Sequence, residues 1–204
     1  MNRIEEVSKV INIKTEIKTL LDVGCRDCIL QKYISPNIKY VGLDLFQNIE
    51  NTVSIIGDIN STNISDESYD CVVAIDILEH IDDPYTVFNK LAKITKKYLI
   101  INLPNGYDLK SRKMFLTGHL SEKYAFKTEN NYDRHRWIMA YNEIIKFYKY
   151  KAQEFNSELQ IIDIQYGNWG SSLTGIMGLI IRMLPNTLCS ESVLGFFEKK
   201  KNYE

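Results

Sequence analysis

Residues 20–30 read LLDVGCRDCIL. An apolar run ends in an acid, Asp22, and then a glycine, Gly24; polar and small residues follow before apolar ones resume at Ile29. That is how a buried strand hands over to a helix through a tight turn that faces a ligand. A turn built for a pyrophosphate carries two or three glycines, so that backbone amides approach the phosphates, and it avoids a neighbouring carboxylate. Here there is one glycine, with Arg26 between Cys25 and Cys28 and with Asp22 just before it. The expected ligand is cationic and free of phosphate.

Outward from that turn the chain alternates between two patterns. TLLDV (19–23), KYVGLDL (39–45), VSIIGDI (53–59), DCVVAID (70–76), KYLIINLP (97–104) and LQIIDIQY (159–166) read as strands. The fourth and fifth are apolar on both faces, as central parallel strands are. Between them lie helical patterns: Ile4, Val7 and Ile11 on one face of IEEVSKVI; CILQKYI (28–34), stopped by Ser35-Pro36; and DDPYTVFNKLAKI (82–94), with an acid cap, Pro84 in the first turn and Val87, Leu91 and Ile94 in register. AYNEIIKFYKYKAQEF (140–155) sets Tyr141, Ile144, Ile145, Tyr148, Ala152 and Phe155 on one face. SVLGFFEKK (192–200) is expected to be a seventh strand closing the sheet edge. The pattern predicts an α/β fold: a doubly wound, mostly parallel seven-stranded sheet with helices on both faces. One domain spans 1–204, with a polar, aromatic insertion at about 105–139 on the substrate side.

Composition excludes several classes. With 45% hydrophobic residues the 204-residue chain can fill a core, and a formal net charge of −1 gives no polyelectrolyte surface, so no nucleic-acid partner is expected. The first ten residues, MNRIEEVSKV, lack the apolar stretch of a secretory signal, and no run of 18 apolar residues exists. Cys25, Cys28, Cys71 and Cys189 are too scattered for a disulfide framework, which suits a cytoplasmic protein. The one C-x-x-C, Cys25 and Cys28, lacks the second pair that a zinc site needs and reads as two small residues packed in a turn.

In parallel sheets ligands sit outside the C-terminal strand ends. The first four strands each bring a carboxylate there: Asp22, Asp44, Asp58 and Asp76. An acid at the end of the second strand suits two ribose hydroxyls. LLDVGCRDC, YVGLDLF, GDI and SYDCVVAIDILEHIDDP, followed by LIINLPN, resemble the ordered motifs of class I S-adenosylmethionine-dependent methyltransferases over residues 18–104. The resemblance implies a Rossmann-like methyltransferase fold with S-adenosylmethionine as cofactor. Asp22, Gly24, Cys25 and Arg26 would hold its methionine end, Asp44 and Leu45 its ribose, Asp58 and Ile59 its adenine, with Ile75 and Asp76 as the far wall. The family pattern prefers glycine where this chain has Arg26 and Cys28.

Asp76, Glu79 and His80 form D-x-x-E-H. It resembles the metal-binding E-x-x-E-H of ubiquinone-pathway O-methyltransferases and of small-RNA 3′-end 2′-O-methyltransferases, with Asp for the first Glu, and His119 or His135 could complete such a site. L-E-H also occurs widely in metal-free relatives, and the expectation is methyl transfer without a metal. Aligning acceptor, methyl and sulfur is the main task. Where a proton must leave, His135 in YDRHRW is the first candidate base and His119 in TGHLSEKY the second. Both lie in the insertion, which is expected to gate the acceptor pocket. Arg134, Arg136 and Trp137 suit an anionic or sugar-like acceptor.

The acceptor is accordingly expected to be small, or glycan- or lipid-linked. SLTGIMGLIIRML (172–184) is too short to span a bilayer and reads as a buried crossover helix or a peripheral membrane contact. Two other readings stay open: a non-catalytic relative that binds cofactor or a partner protein, and a nicotinamide-dependent oxidoreductase, which the missing G-x-G-x-x-G disfavours.

Overall fold

The computed structural model describes residues 3–120, 123–125, 134–165 and 184–200. Its elements run α1 (Arg3–Ile13), β1 (Thr19–Val23), β2 (Lys39–Asp44), β3 (Ile55–Ile56), β4 (Tyr69–Ile75), α2 (Pro84–Ile94), β5 (Thr95–Pro104), α3 (Leu109–Leu116), α4 (Tyr141–Glu154), β6 (Ser157–Gln165), α5 (Asn186–Cys189) and β7 (Ser190–Lys199). Short 3-10 turns cover Ile29–Tyr33 and Leu78–His80.

The seven strands form one sheet in the order β3-β2-β1-β4-β5-β7-β6. The first five are parallel, while β7 runs antiparallel to both β5 and β6. The sheet is therefore mixed. The SVLGFFEKK strand is not at the edge: it lies between β5 and β6, and β6 is the edge. Gly195 makes this possible from inside β7, since a Cβ there would sit 2.8 Å from the Tyr148 ring of α4.

Side chains alternate off the strands into two cores. Leu21, Val72, Leu99 and Ile101 pack with Val87, Phe88 and Leu91 of α2 and Ile144 and Tyr148 of α4. Leu20, Val73, Tyr98 and Ile100 pack on the other face with Val7 and Ile11 of α1. Fully burying each such side chain stabilises the fold by about 1.5–3 kcal/mol. Asp83 caps α2, accepting from the Tyr85 and Thr86 amides, with Pro84 at the first helical position.

Two elements are shorter than their sequences suggest. CILQKYI is only a 3-10 turn, because Cys28 is left-handed (φ 51°) and Ser35-Pro36 follows at once. VSIIGDI contributes two residues of ladder, Ile55 and Ile56, before Gly57 donates to the Asp44 carbonyl and turns the chain. No helix among the described residues is long and apolar enough to cross a membrane. Of SLTGIMGLIIRML, residues 172–183 lie outside the described set.

The segment after β5 begins at a polar hub. The buried Asn105 side chain donates to the Thr187 and Ser190 carbonyls and accepts from the Tyr107 and Tyr141 amides, tying the end of β5 to α4 and to the entry of β7. Asp108 then caps α3 through the Ser111 amide.

Candidate active site

All ten residues expected around the cofactor lie at or just beyond the C-terminal ends of β1, β2, β3 and β4. The turn after β1 is held by the Gly24 and Cys25 amides, both donating to the Leu43 carbonyl. Gly24 has φ 71°, and a Cβ there would lie 1.8 Å from Ile77 Cδ1, so no side chain fits between this turn and the one after β4. Arg26 (φ 46°) and Cys28 (φ 51°) both adopt the left-handed conformation that glycine takes most easily. The backbone thus keeps the shape that glycines serve at those two positions, and the exposed Arg26 donates its amide to Asp44 Oδ2 at 2.8 Å.

Asp44 also accepts from the Phe46 amide. Asp22 is buried, takes a 2.6 Å bond from the Tyr40 hydroxyl, and has its pKa pushed up to about 7 by burial, against that bond and with a smaller push from Asp44. Asp58 is exposed and bonds the Asn60 amide and side chain, while Ile59 is buried and Leu45 exposed. Cys25 and Cys28 pack Sγ to Sγ at 3.6 Å in the space that Gly42 leaves without a side chain.

Asp76 is left-handed (φ 56°), with its carboxylate held by Asn102 Nδ2 at 2.6 Å and by Arg3 of α1. It stands apart from the metal-like group. That group consists of Glu79, His80 and His135, each offering one ligand atom within 4.8 Å of the others. Glu79 is fully buried and neither carboxylate oxygen has a hydrogen-bond partner among the described residues. Its Oε1 faces His80 Nε2 at 3.9 Å and His135 Nε2 at 3.8 Å. Burial, and then Asp76, push its pKa up to about 8. His80 Nδ1 donates to the Arg134 carbonyl at 3.1 Å, which fixes the ring with Nε2 turned toward Glu79. His135 Nδ1 meets the Tyr124 hydroxyl at 3.0 Å. Gly106 admits that tyrosine, since a Cβ there would lie 2.6 Å from its hydroxyl.

Arg136 and Trp137 dock on the turn after β4. Arg136 donates its amide to the Glu79 carbonyl at 2.8 Å, Trp137 Nε1 donates to the Ile81 carbonyl at 2.8 Å, and the Arg136 guanidinium pairs with Asp82. His119 lies elsewhere, exposed after α3, with Nδ1 at 3.4 Å from Thr117 Oγ1. Sequence reasoning did not single out Tyr124, Asn102 or Arg3: Asn102 and Arg3 meet Asp76 from far along the chain, and Tyr124 belongs to no motif.

Residues 4–160 match a family described as Methyltransferase domain. A ubiquinone biosynthesis O-methyltransferase of Hydrogenovibrio crunogenus is 30% identical over 108 residues, 46% of this chain and 44% of the relative, so the chain matches less than half that protein's length. A small RNA methyltransferase shares the fold at TM-score 0.66 and 12% identity, covering 98% of this chain and 25% of its own. An S-adenosylmethionine-dependent methyltransferase from Archaeoglobus fulgidus does so at 0.61 and 16%, covering 96% and 92%. The expectation that nucleic acid plays no part is overturned by the RNA enzyme. A near-neutral net charge does not exclude nucleic acid on this scaffold.

Proposed function

Because the chain belongs to the methyltransferase-domain family, we propose that it transfers a methyl group to a hydroxyl oxygen held over Glu79, His80 and His135. The protein is an enzyme that uses S-adenosylmethionine, and the oxidoreductase and non-catalytic readings fall away. Bound, the cofactor supplies an electrophilic methyl on a cationic sulfur. Asp22 would take its ammonium, Asp44 its ribose hydroxyls, Asp58 and Ile59 its adenine, and Gly24 lets the backbone approach closely.

The observation that carries the acceptor reading is Glu79: a fully buried carboxylate with two unpartnered oxygens, facing two imidazole nitrogens. A buried carboxylate left like this costs several kcal/mol unless something compensates it. Two imidazoles and a carboxylate suit a first-row divalent transition ion better than magnesium. Such an ion, held by these three side chains, supplies positive charge that favours the deprotonated acceptor hydroxyl. The Arg134 carbonyl orients His80 and the Tyr124 hydroxyl orients His135. The metal-free expectation already allowed that His135 could complete a site; what favours the metal here is that Glu79, His80 and His135 offer ligand atoms within 4.8 Å of one another.

Chelation tests this reading. After removal of metal, the enzyme should still bind S-adenosylhomocysteine but lose turnover, with manganese or zinc restoring it and Glu79→Gln abolishing metal uptake. Full activity after chelation, with unaltered metal content in Glu79→Gln, would refute it. His135 acting alone as general base is the second reading, favoured by its bond to Tyr124; it predicts chelator-resistant turnover that collapses in His135→Ala. The acceptor panel should include an RNA oligonucleotide beside small phenols and sugars.

A further inference from the structure

We propose that an apolar groove beside the Glu79 cluster receives the hydrocarbon part of a small, uncharged acceptor, which makes the natural substrate a hydroxylated aromatic or alkyl compound. The proposal rests on the reading that the acceptor hydroxyl sits over Glu79, His80 and His135.

The groove has a volume of about 300 Å³ and is walled by Leu78, Tyr85, Leu103, Trp137, Ile144 and Phe147. That size lies at the small end of small-molecule sites, enough for one ring with a short chain. It is built from the segments that build the cluster. Leu78 begins the 3-10 turn that carries Glu79 and His80, and Trp137 follows His135 by two residues. Leu103 is the last residue but one of β5, at the strand end where acceptors enter.

The walls are fixed rather than collapsed. The Trp137 indole N–H is satisfied by the Ile81 carbonyl, which sets the ring's position. Tyr85 meets Trp137 and Phe147 edge to face, with centroids 6.5 and 5.8 Å apart. Tyr85 remains 55% exposed and Ile138, also on the lining, 52%. Single exposed apolar residues are ordinary, but several around one concavity beside a reactive group mark a binding surface.

Charge decides between ligand classes. Among the described residues the lining contains no lysine or arginine, and its one ionisable side chain other than Tyr85 is Glu143. An apolar lining with one carboxylate and no cation suits a neutral hydrocarbon.

Trp137 reports on this groove. The chain has two tryptophans, and a Trp169→Phe background leaves Trp137 alone. Catechol and 4-octylcatechol are titrated against this protein with S-adenosylhomocysteine present. The octyl compound should bind at least about tenfold more tightly, since each buried methylene contributes severalfold. Ile138→Asp and Tyr85→Asp should each bring that ratio toward one. Calorimetry on the unsubstituted protein provides the same comparison, with a more negative heat-capacity change for the octyl compound. Equal affinities, a chain advantage that survives both substitutions, or displacement of the octyl compound by a lower concentration of RNA oligonucleotide would overturn the proposal. Groove-dependent binding of 4-octylcatechol without methylation of either phenol would leave the groove standing and remove the hydroxyl-transfer reading instead.

Discussion

The two halves of the site are built on opposite terms. At the ends of β1 and β2 the polar groups satisfy one another: Gly24 and Cys25 bond Leu43, Arg26 bonds Asp44, and Tyr40 bonds Asp22. Beyond β4 most polar groups are also paired, but the two Glu79 carboxylate oxygens have no hydrogen-bond partner among the described residues, and Oε1 faces two histidines at distances too long for hydrogen bonds. The first half is a scaffold that stands by itself and presents a shape. The second is centred on a buried acid with spare hydrogen-bonding capacity. A protein can hold a ligand by shape from satisfied backbone, but chemistry at a reacting atom needs groups with spare capacity.

The largest expected effect tests the second half. Glu79→Gln should lower kcat/KM by roughly 10²–10⁴ while S-adenosylhomocysteine affinity stays within about threefold. Calorimetry beside steady-state kinetics checks this, and loss of cofactor binding would show that the halves are not separable. Next comes Gly24→Ala, which should cost about 2–4 kcal/mol of stability, combining left-handed strain with the collision at Ile77. Adding Ile77→Ala should recover the collision part but not the strain. Denaturant unfolding of the three variants makes that separation, and full recovery would mean that the φ of 71° carries no cost.

The third effect follows pH. Asp22 titrates near 7 in the folded protein and near 4 unfolded. The folded state therefore holds the extra proton between those values, and the contribution of Asp22 to stability falls as pH rises through that window. A cationic ligand needs the ionised form, so S-adenosylhomocysteine affinity should rise with pH up to about 7, by at most tenfold per unit, and Asp22→Asn should flatten the slope. A wild-type slope that persists in Asp22→Asn would place the titrating group elsewhere. The smallest effect is Arg26→Gly. It should raise stability by a few tenths of a kcal/mol, because relief of left-handed strain slightly exceeds the added chain entropy. A loss of more than about 1 kcal/mol in thermal unfolding would mean that the arginine side chain, and not only its backbone, holds the turn.

What the sequence made legible follows the same division. β1, β2, β4 and β5, the helices α1 and α2, and the strand-end acids rest on local patterns, and local patterns survive folding. The short β3 was misjudged because VSIIGDI has the apolar content of a longer strand while Gly57 turns it away after two residues. The place of β7 was misjudged because nothing in a strand's own sequence says which neighbours it has. Arg26 and Cys28 looked like departures from the family's glycines; their positive φ values show side chains changing while the backbone does not. The members of the Glu79 group were all named from the sequence, with His135 one of two candidates for the third, but their juxtaposition was not legible. Glu79 and His80 are adjacent, but their link to the 134–137 segment spans a sequence separation of 54 between His80 and Arg134.

The position of β7 between β5 and β6 has a consequence for biosynthesis. As the chain leaves the ribosome, the parallel half of the sheet can assemble as soon as β5 is available, with the long, apolar edge of β5 open. β6 emerges next but has no partner of its own, since it pairs only with β7. Completion must wait for the strand synthesised after all the others, whose insertion covers one edge and recruits the other in a single late step. A nascent chain halted before residue 190 should therefore lose β6 as well as β7 and recruit chaperones through the bare edge of β5. Protease protection of stalled chains of increasing length would show β6 becoming resistant together with β7, and resistance of β6 on its own would contradict this order.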